Sequence, residues 1–278
     1  MSSDPGAGGD RRGRRLPFDG HVHTSFSPDS EVAIDAYARQ AVELGIREIA
    51  ITDHVDLDPR APAYACASFE DRRKAVRDAA HRWAPLGLHL RFGVELTYER
   101  AWEDAARHHL QQNAYDFVIG SVHVGADSPY LASRVEAWIA GKSLPEIVAP
   151  YFQEVEAAAR SGLFDAIGHI DFVKRYLAPH VPASDLAAAP ELLEPVLRAL
   201  VETGTALEIN TSGLRQAARE MYPSPAAVAR YRELGGERIT VGSDAHTADH
   251  FAWALSDGYA AAEAVGLRPS LERQPVAA

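Results

Sequence analysis

The sequence predicts an α/β fold in which parallel strands alternate with helices and close into a barrel. Three observations predict it. Short apolar runs rich in Ile, Val and Phe recur along the 278 residues, segments with helical spacing separate them, and many of the runs end in a histidine or a carboxylate. Strict strand–helix alternation implies parallel strands joined by right-handed crossovers. An open doubly wound sheet would gather its polar residues at one switch point. A barrel brings the C-terminal end of every strand to one mouth, which suits polar residues spread over many strands.

Taken in chain order, residues 1–15 form a Gly-, Ser- and Asp-rich leader with Arg11, Arg12, Arg14 and Arg15 and no apolar anchor, expected to be a solvated, disordered tail. Residues 16–278 are expected to form a single domain, because no interior stretch is rich enough in Pro, Gly or Ser to divide it. Strands are expected over 18–23, 47–52, 89–96, 117–123, 166–170, 206–210 and 238–242, about seven in all. Ile34, Ala38, Ala41 and Val42 share one helical face, and Gly45 suits the left-handed position that ends a helix. Ser143-Leu144-Pro145-Glu146 reads as a capping box with proline in the first turn, opening a helix through Ile147, Tyr151 and Val155. Residues 56–67 read as a long loop over the strand ends.

Composition narrows the function classes. Hydrophobic residues at 46% and charged residues at 24% are ordinary for a folded globule. A net charge of −11 argues against broad nucleic-acid or anionic-membrane binding. No run approaches the roughly 18 apolar residues of a membrane span, and the leader lacks the apolar centre of a secretory signal, so the expected address is the cytoplasm. The one cysteine, Cys66, excludes an internal disulfide and a cysteine-rich zinc knuckle. Metal binding therefore falls to carboxylates and to the twelve histidines.

Those residues recur at strand ends. In Asp19-Gly20-His21-Val22-His23-Thr24, strand alternation places His21 and His23 on one face, able to share an ion. Ile51-Thr52-Asp53-His54 runs from apolar core into an acid and a histidine. The same pattern returns at Gly93-Val94-Glu95, Ser121-Val122-His123, Gly168-His169-Ile170-Asp171 and Gly242-Ser243-Asp244-Ala245-His246. A single buried polar group is easily satisfied, but this many carry large desolvation costs unless cations converge on them. His21, His23, His54, His123, His169 and His246, with Glu95, Asp244 and Asp29, amount to ligands for about three divalent ions. Neutral imidazoles and three carboxylates leave roughly three positive charges on such a cluster, which suits a phosphate dianion. Phosphate ester hydrolysis is the expected chemistry.

With these motifs the chain resembles the PHP (polymerase and histidinol phosphatase) superfamily over nearly its whole length, from Phe18 to about Gly266. Glu208-Ile209-Asn210-Thr211-Ser212-Gly213-Leu214-Arg215 and Tyr222-Pro223-Ser224 resemble the monofunctional histidinol-phosphatase branch. The resemblance implies a distorted (β/α)7 TIM-like barrel with a trinuclear site of zinc, iron or manganese. It implies hydrolysis of L-histidinol phosphate in histidine biosynthesis, with a metal-bridging hydroxide attacking phosphorus in line. One ion would be held by His21, His23, Glu95 and Asp244, a second by Glu95, His123 and His169, and a third by Asp29, His54 and His246. Asp29 departs from the family, where a histidine is frequent. Glu95, Asp244 and His246 are the residues expected to carry catalysis.

Lys174, Arg175 and Arg215 are candidate phosphate ligands from loops at the mouth. Asp53 and Asp171 are expected to orient neighbouring histidines, and Asp56 or Asp58 to favour a cationic substrate end. The only expected partner is a small phosphate ester, with neither nucleic acid nor membrane. Cys66 and Arg72 have the spacing of a cysteine phosphatase, but the cysteine follows a loop and not a strand. His81, His89, His108, His109, His180 and His250 are expected at the surface or in packing. One rival reading is a binding or structural module whose metals are not catalytic, which calls for closed sites; the other is a phosphodiesterase acting on another small ester or a nucleotide. The latter calls for a basic track that this acidic chain lacks.

Overall fold

The computed structural model describes residues 16–273, so the expected tail over 1–15 lies outside the described residues. Eight parallel strands form the sheet: β1 Phe18–Val22, β2 Glu48–Ile51, β3 His54–Val55, β4 His89–Thr97, β5 Phe117–Ser121, β6 Ala166–Ile167, β7 Ala206–Asn210 and β8 Ile239–Gly242. They pair in the order β1-β2-β4-β5-β6-β7-β8, with β3 on β4. β3 continues β2 in the same register, since Ile51 faces Phe92 and His54 faces Glu95. Between them the Thr52 amide turns to the Val22 carbonyl of β1 at 2.9 Å. The ring thus has the seven expected staves, one of them broken in two.

The ring closes at its C-terminal end. The His23 amide donates to the Ala245 carbonyl and the Asp244 amide to the His21 carbonyl, each at 2.8 Å, at the end of β1 and just past β8. Every residue of β1, β5, β7 and β8 is buried, as expected where helices cover the outer face and side chains fill the inside. The helix Ile34–Leu44 buries Ile34, Tyr37, Ala38 and Ala41, and Gly45 ends it at φ 73° with its amide on the Ala41 and Val42 carbonyls. The helix Leu144–Arg160 opens on the predicted capping box, with the Ser143 amide donating to the Glu146 carboxylate at 2.8 Å. Among the described residues no helix is long and apolar enough to cross a membrane.

Three strands stop before a histidine that the sequence places inside them. β6 has only two residues because His169 adopts φ 24°, a backbone that cannot extend a ladder and is costly for a residue with a Cβ. β1 and β5 also end before His23 and His123. His23, His123 and His169 therefore sit where regular pairing stops and the backbone is free to aim them inward.

Candidate metal centre

The strand ends converge on Glu95, at the end of β4. Its Oε2 lies 3.3 Å from the Nε2 atoms of both His21 and His23 and 3.0 Å from His54 Nδ1. Its Oε1 lies 2.9 Å from His169 Nε2 and 3.4 Å from His123 Nε2. Asp244 brings Oδ1 within 3.4 Å of His23 Nε2 and of His246 Nδ1. Further out, Asp29 Oδ2 lies 3.2 Å from His246 Nε2 and 3.6 Å from His54 Nε2.

These separations match a metal's requirements. Ligands bound at about 2.0–2.1 Å in a tetrahedron stand roughly 3.3–3.4 Å apart, and most of the distances above fall near that edge. His21 Nε2, His23 Nε2 and Glu95 Oε2 are also fully buried with no hydrogen-bond partner, a costly state for atoms that face one another without a cation between them. Three groupings have ligand atoms close enough to share an ion: His21 with His23 and Glu95, His54 with Glu95 and His123, and His23 with His54 and His246. His54 thus faces two ways, Nδ1 toward Glu95 and Nε2 toward Asp29, and is not confined to the outer group.

The nitrogen turned away from the cluster is held in most of these rings. His21 Nδ1 meets Glu208 Oε1 at 2.6 Å, His23 Nδ1 meets Ser27 Oγ at 3.3 Å, and His123 Nδ1 meets Thr97 Oγ1 at 3.0 Å. His246 Nδ1 meets the Asp244 carbonyl at 3.0 Å. Such contacts fix the tautomer and aim Nε2 at the cluster. Two glycines make room for them. A Cβ on Gly242 would overlap the His21 Cβ, and one on Gly168 would overlap Ser121 Oγ. Asp244 adopts φ 53°, another strained backbone at the strand ends.

The imidazoles and carboxylates of the cluster shift one another's proton affinity. Burial alone would lower His21, but Glu208, Glu95 and Asp244 hold its pKa well above the usual imidazole value. His54 is pushed up to about 10, against its burial, by Glu95 and Asp29. His23 is lowered, first by burial and then by its neighbours His246 and His54. Burial acts to raise Glu95 and Asp244, yet the surrounding imidazoles hold both well below the ordinary carboxylate range.

The cluster forms the floor of a cavity of about 670 Å³ whose wall includes Asp29, Arg175, Arg215 and His250. A family profile described as PHP domain matches residues 19–212, more than half of the chain and all of this ligand constellation except Asp244 and His246. The chain belongs to the PHP domain family.

Within that family the chain is 29% identical over 256 residues to a Deinococcus radiodurans protein named "Probable histidinol-phosphatase", covering 90% of this chain and 94% of the relative. It is 27% identical over 241 residues to a Lactococcus lactis histidinol-phosphatase, covering 83% of this chain and 84% of the relative. The fold matches a solved structure of a Lactococcus lactis histidinol phosphate phosphatase in complex with zinc, L-histidinol and phosphate. That match has a TM-score of 0.78 and 23% identity, and covers 91% of this chain and 95% of the other. The motif resemblance and the barrel expected from it are both borne out.

The PHP cavity also sorts the other expected residues. All nine candidate ligands meet at one place. Arg175 and Arg215 both reach the cavity wall. The Arg215 guanidinium is fixed on the Ser243 and Asp244 carbonyls at 2.8 and 2.7 Å, and that of Arg175 lies 5.3 Å from the Phe172 ring centre. Lys174 does not reach the wall. Its Nζ is buried 2.6 Å from both Asp171 Oδ2 and Glu220 Oε2, a structural ion pair and not a phosphate ligand. Asp171 is therefore spent on Lys174 and does not orient a histidine. Asp53 acts on the cluster through an intermediary, accepting at 2.8 Å from the Ser27 hydroxyl that touches His23.

Asp56 lines the cavity, whereas Asp58 is paired with Arg60 at 2.7 Å. Cys66 is exposed, and Arg72 is buried with Nη2 on the Asp53 carbonyl at 2.8 Å, which leaves no cysteine-phosphatase site. His250, expected at the surface or in packing, lines the cavity.

Glu208 had no role assigned from sequence. Besides His21 it accepts from the His169 amide at 2.8 Å and from Asn210 Nδ2 at 3.1 Å. Its sequence signals were a charged residue in the middle of an apolar strand, Ala-Leu-Glu-Ile-Asn, and its place at the head of the branch-like segment that runs to Arg215. Asp19 carries the first of these signals in β1, where it accepts from the Ser243 amide at 2.9 Å.

Proposed function

We propose that this PHP barrel, one domain over residues 16–278, is a metal-dependent phosphomonoesterase that hydrolyses L-histidinol phosphate to L-histidinol and phosphate. The observation that carries the reading is the convergence of six imidazoles and three carboxylates on the floor of a cavity with two guanidinium groups in its wall. The substrate follows from the names and coverage of the relatives.

His21, His23, Glu95 and Asp244 would hold one ion, Glu95, His123 and His169 a second, and Asp29, His54 and His246 a third. Zinc is the first choice, with iron and manganese compatible with the same donors. When bound, such ions supply positive charge to the phosphoryl oxygens and activate the attacking water. Arg175, in the short helix after β6, and Arg215, beyond β7, would grip the phosphate, since a planar guanidinium pairs with two oxygens at once. Because Arg215 is already held on two carbonyls, it is pre-positioned and loses little freedom on binding. Glu95 offers one oxygen to each of two groups of histidines and so sets their spacing. Asp244 and His246 link the inner group to Asp29.

Two measurements test this reading. Elemental analysis of purified protein should find about three transition-metal ions per chain. The kcat/KM for L-histidinol phosphate should exceed those for p-nitrophenyl phosphate and for a phosphate bis-ester. A metal-free, fully active preparation would end the argument, and preference for the bis-ester would make the protein a phosphodiesterase.

A further inference from the structure

Two acidic side chains remain on the cavity wall once the cluster and its supports are accounted for. Asp56, just beyond β3, and Glu99, two residues beyond β4, both line the cavity. The Asp56 carboxylate accepts from the Ala63 amide at 3.1 Å. The half-buried Glu99 carboxylate has no hydrogen bond or ion pair among the described residues. It lies over Gly125 of the β5 loop, Oε1 only 3.2 Å from where a Cβ would stand there. Burial first, then Asp58 and Glu154, push its pKa up. A desolvated acid beside other acids is a cost to the fold, and a cation arriving in the cavity would relieve it.

The topology sets this acid apart from the guanidinium groups. Asp56 and Glu99 leave the barrel from the adjacent pair β3 and β4, while Arg175 and Arg215 follow β6 and β7, further round the ring. The charges that perturb Glu99 are Asp58, Glu154, Arg60 and Asp56, and those that perturb Arg215 include Asp244, Asp19 and Arg175. The cavity thus has an anionic wall and a cationic wall with the ligand cluster on the floor.

We propose that Glu99, with Asp56 beside it, is the specificity-determining group that selects phosphate monoesters bearing a protonated amine or imidazolium at the end remote from the phosphate. This rests on the phosphomonoesterase reading above and names the residue that recognises the other end of the substrate. Glu99 touches no reacting atom in this scheme. It discriminates by charge, since a neutral tail leaves the carboxylate desolvated and uncompensated.

The test is a calorimetric titration of zinc-loaded protein with 3-aminopropylphosphonate and with butylphosphonate, which differ in one terminal group and do not turn over. The wild type should bind the amine more tightly. Glu99→Gln should bring the ratio of the two Kd values down by about tenfold or more, the loss of one charge-assisted hydrogen bond. Gly125→Ala, which crowds the carboxylate without removing it, should lower the ratio part of the way. Both variants should unfold at nearly the wild-type temperature, because the carboxylate has no partner to lose.

A wild-type ratio near one, no binding of either phosphonate, or an equal weakening of both by Glu99→Gln would overturn the assignment. Turnover of L-histidinol phosphate is measured alongside. If that ester is not hydrolysed while the amine preference depends on Glu99, the substrate named above is wrong and the role of Glu99 stands. If it is hydrolysed and Glu99→Gln changes nothing, the role of Glu99 falls alone.

Discussion

Replacing Glu208 by glutamine removes a charge that holds three donors at once. In the native site Oε1 meets His21 Nδ1 at 2.6 Å, while Oε2 accepts from the His169 amide at 2.8 Å and from Asn210 Nδ2 at 3.1 Å. A glutamine has one acceptor oxygen and one amide nitrogen, so whichever way it turns, an N–H group faces donors. If the oxygen stays on His21, the His169 amide and Asn210 lose their acceptor. If it turns the other way, His21 loses its support and its tautomer. A buried donor left unpaired costs about 1–3 kcal/mol, and 1.4 kcal/mol is about tenfold in an equilibrium constant. Glu208→Gln should therefore weaken metal binding by about 10–100-fold, in line with the usual effect of losing a group that orients a metal-bound histidine. Competition against a chelator of known zinc affinity reads the loss directly, and kcat at saturating zinc should recover much of the activity. Unchanged zinc affinity, or loss of activity that saturating zinc does not touch, would refute the reasoning.

Glu95→Gln should abolish turnover and reduce bound metal below that of any outer-ligand variant, whereas Cys66→Ser should be near wild type in both elemental analysis and kcat/KM. Arg175→Ala and Arg215→Ala should each raise KM and lower kcat/KM by about 10–100-fold; Lys174→Ala should instead lose about 3–5 kcal/mol of stability by stranding the Asp171 carboxylate, seen in denaturant unfolding. Zinc binding should release protons, because Glu95 and Asp29 push His54 up to about 10, and Glu208, Glu95 and Asp244 raise His21 against its burial. Affinity should accordingly rise with pH up to the region of those pKa values, and calorimetry in buffers of different ionisation enthalpy would show it.

The barrel was legible in the sequence because its signals are local. Apolar runs such as Phe117–Ser121, the Gly45 stop and the Ser143–Glu146 capping box depend on residues a few positions apart, and the backbone obeys them directly. The candidate ligands other than Asp29, which lies in the loop beyond β1, were legible for a related reason: a parallel barrel carries every strand end to one mouth, so residue type near the strand end suffices to list them. What each polar residue spends its charge on was decided only in three dimensions. Glu208 meets His21 across 187 positions of sequence, and Lys174 is taken out of the site by Glu220, 46 positions away. No periodicity encodes those pairings. Lys174 and Arg175 are neighbours in sequence, yet one turn of the chain buries the first against two carboxylates and leaves the second at the cavity wall. Partner choice depends on the angle at which each strand end leaves the ladder, and that angle is set by packing of the whole ring.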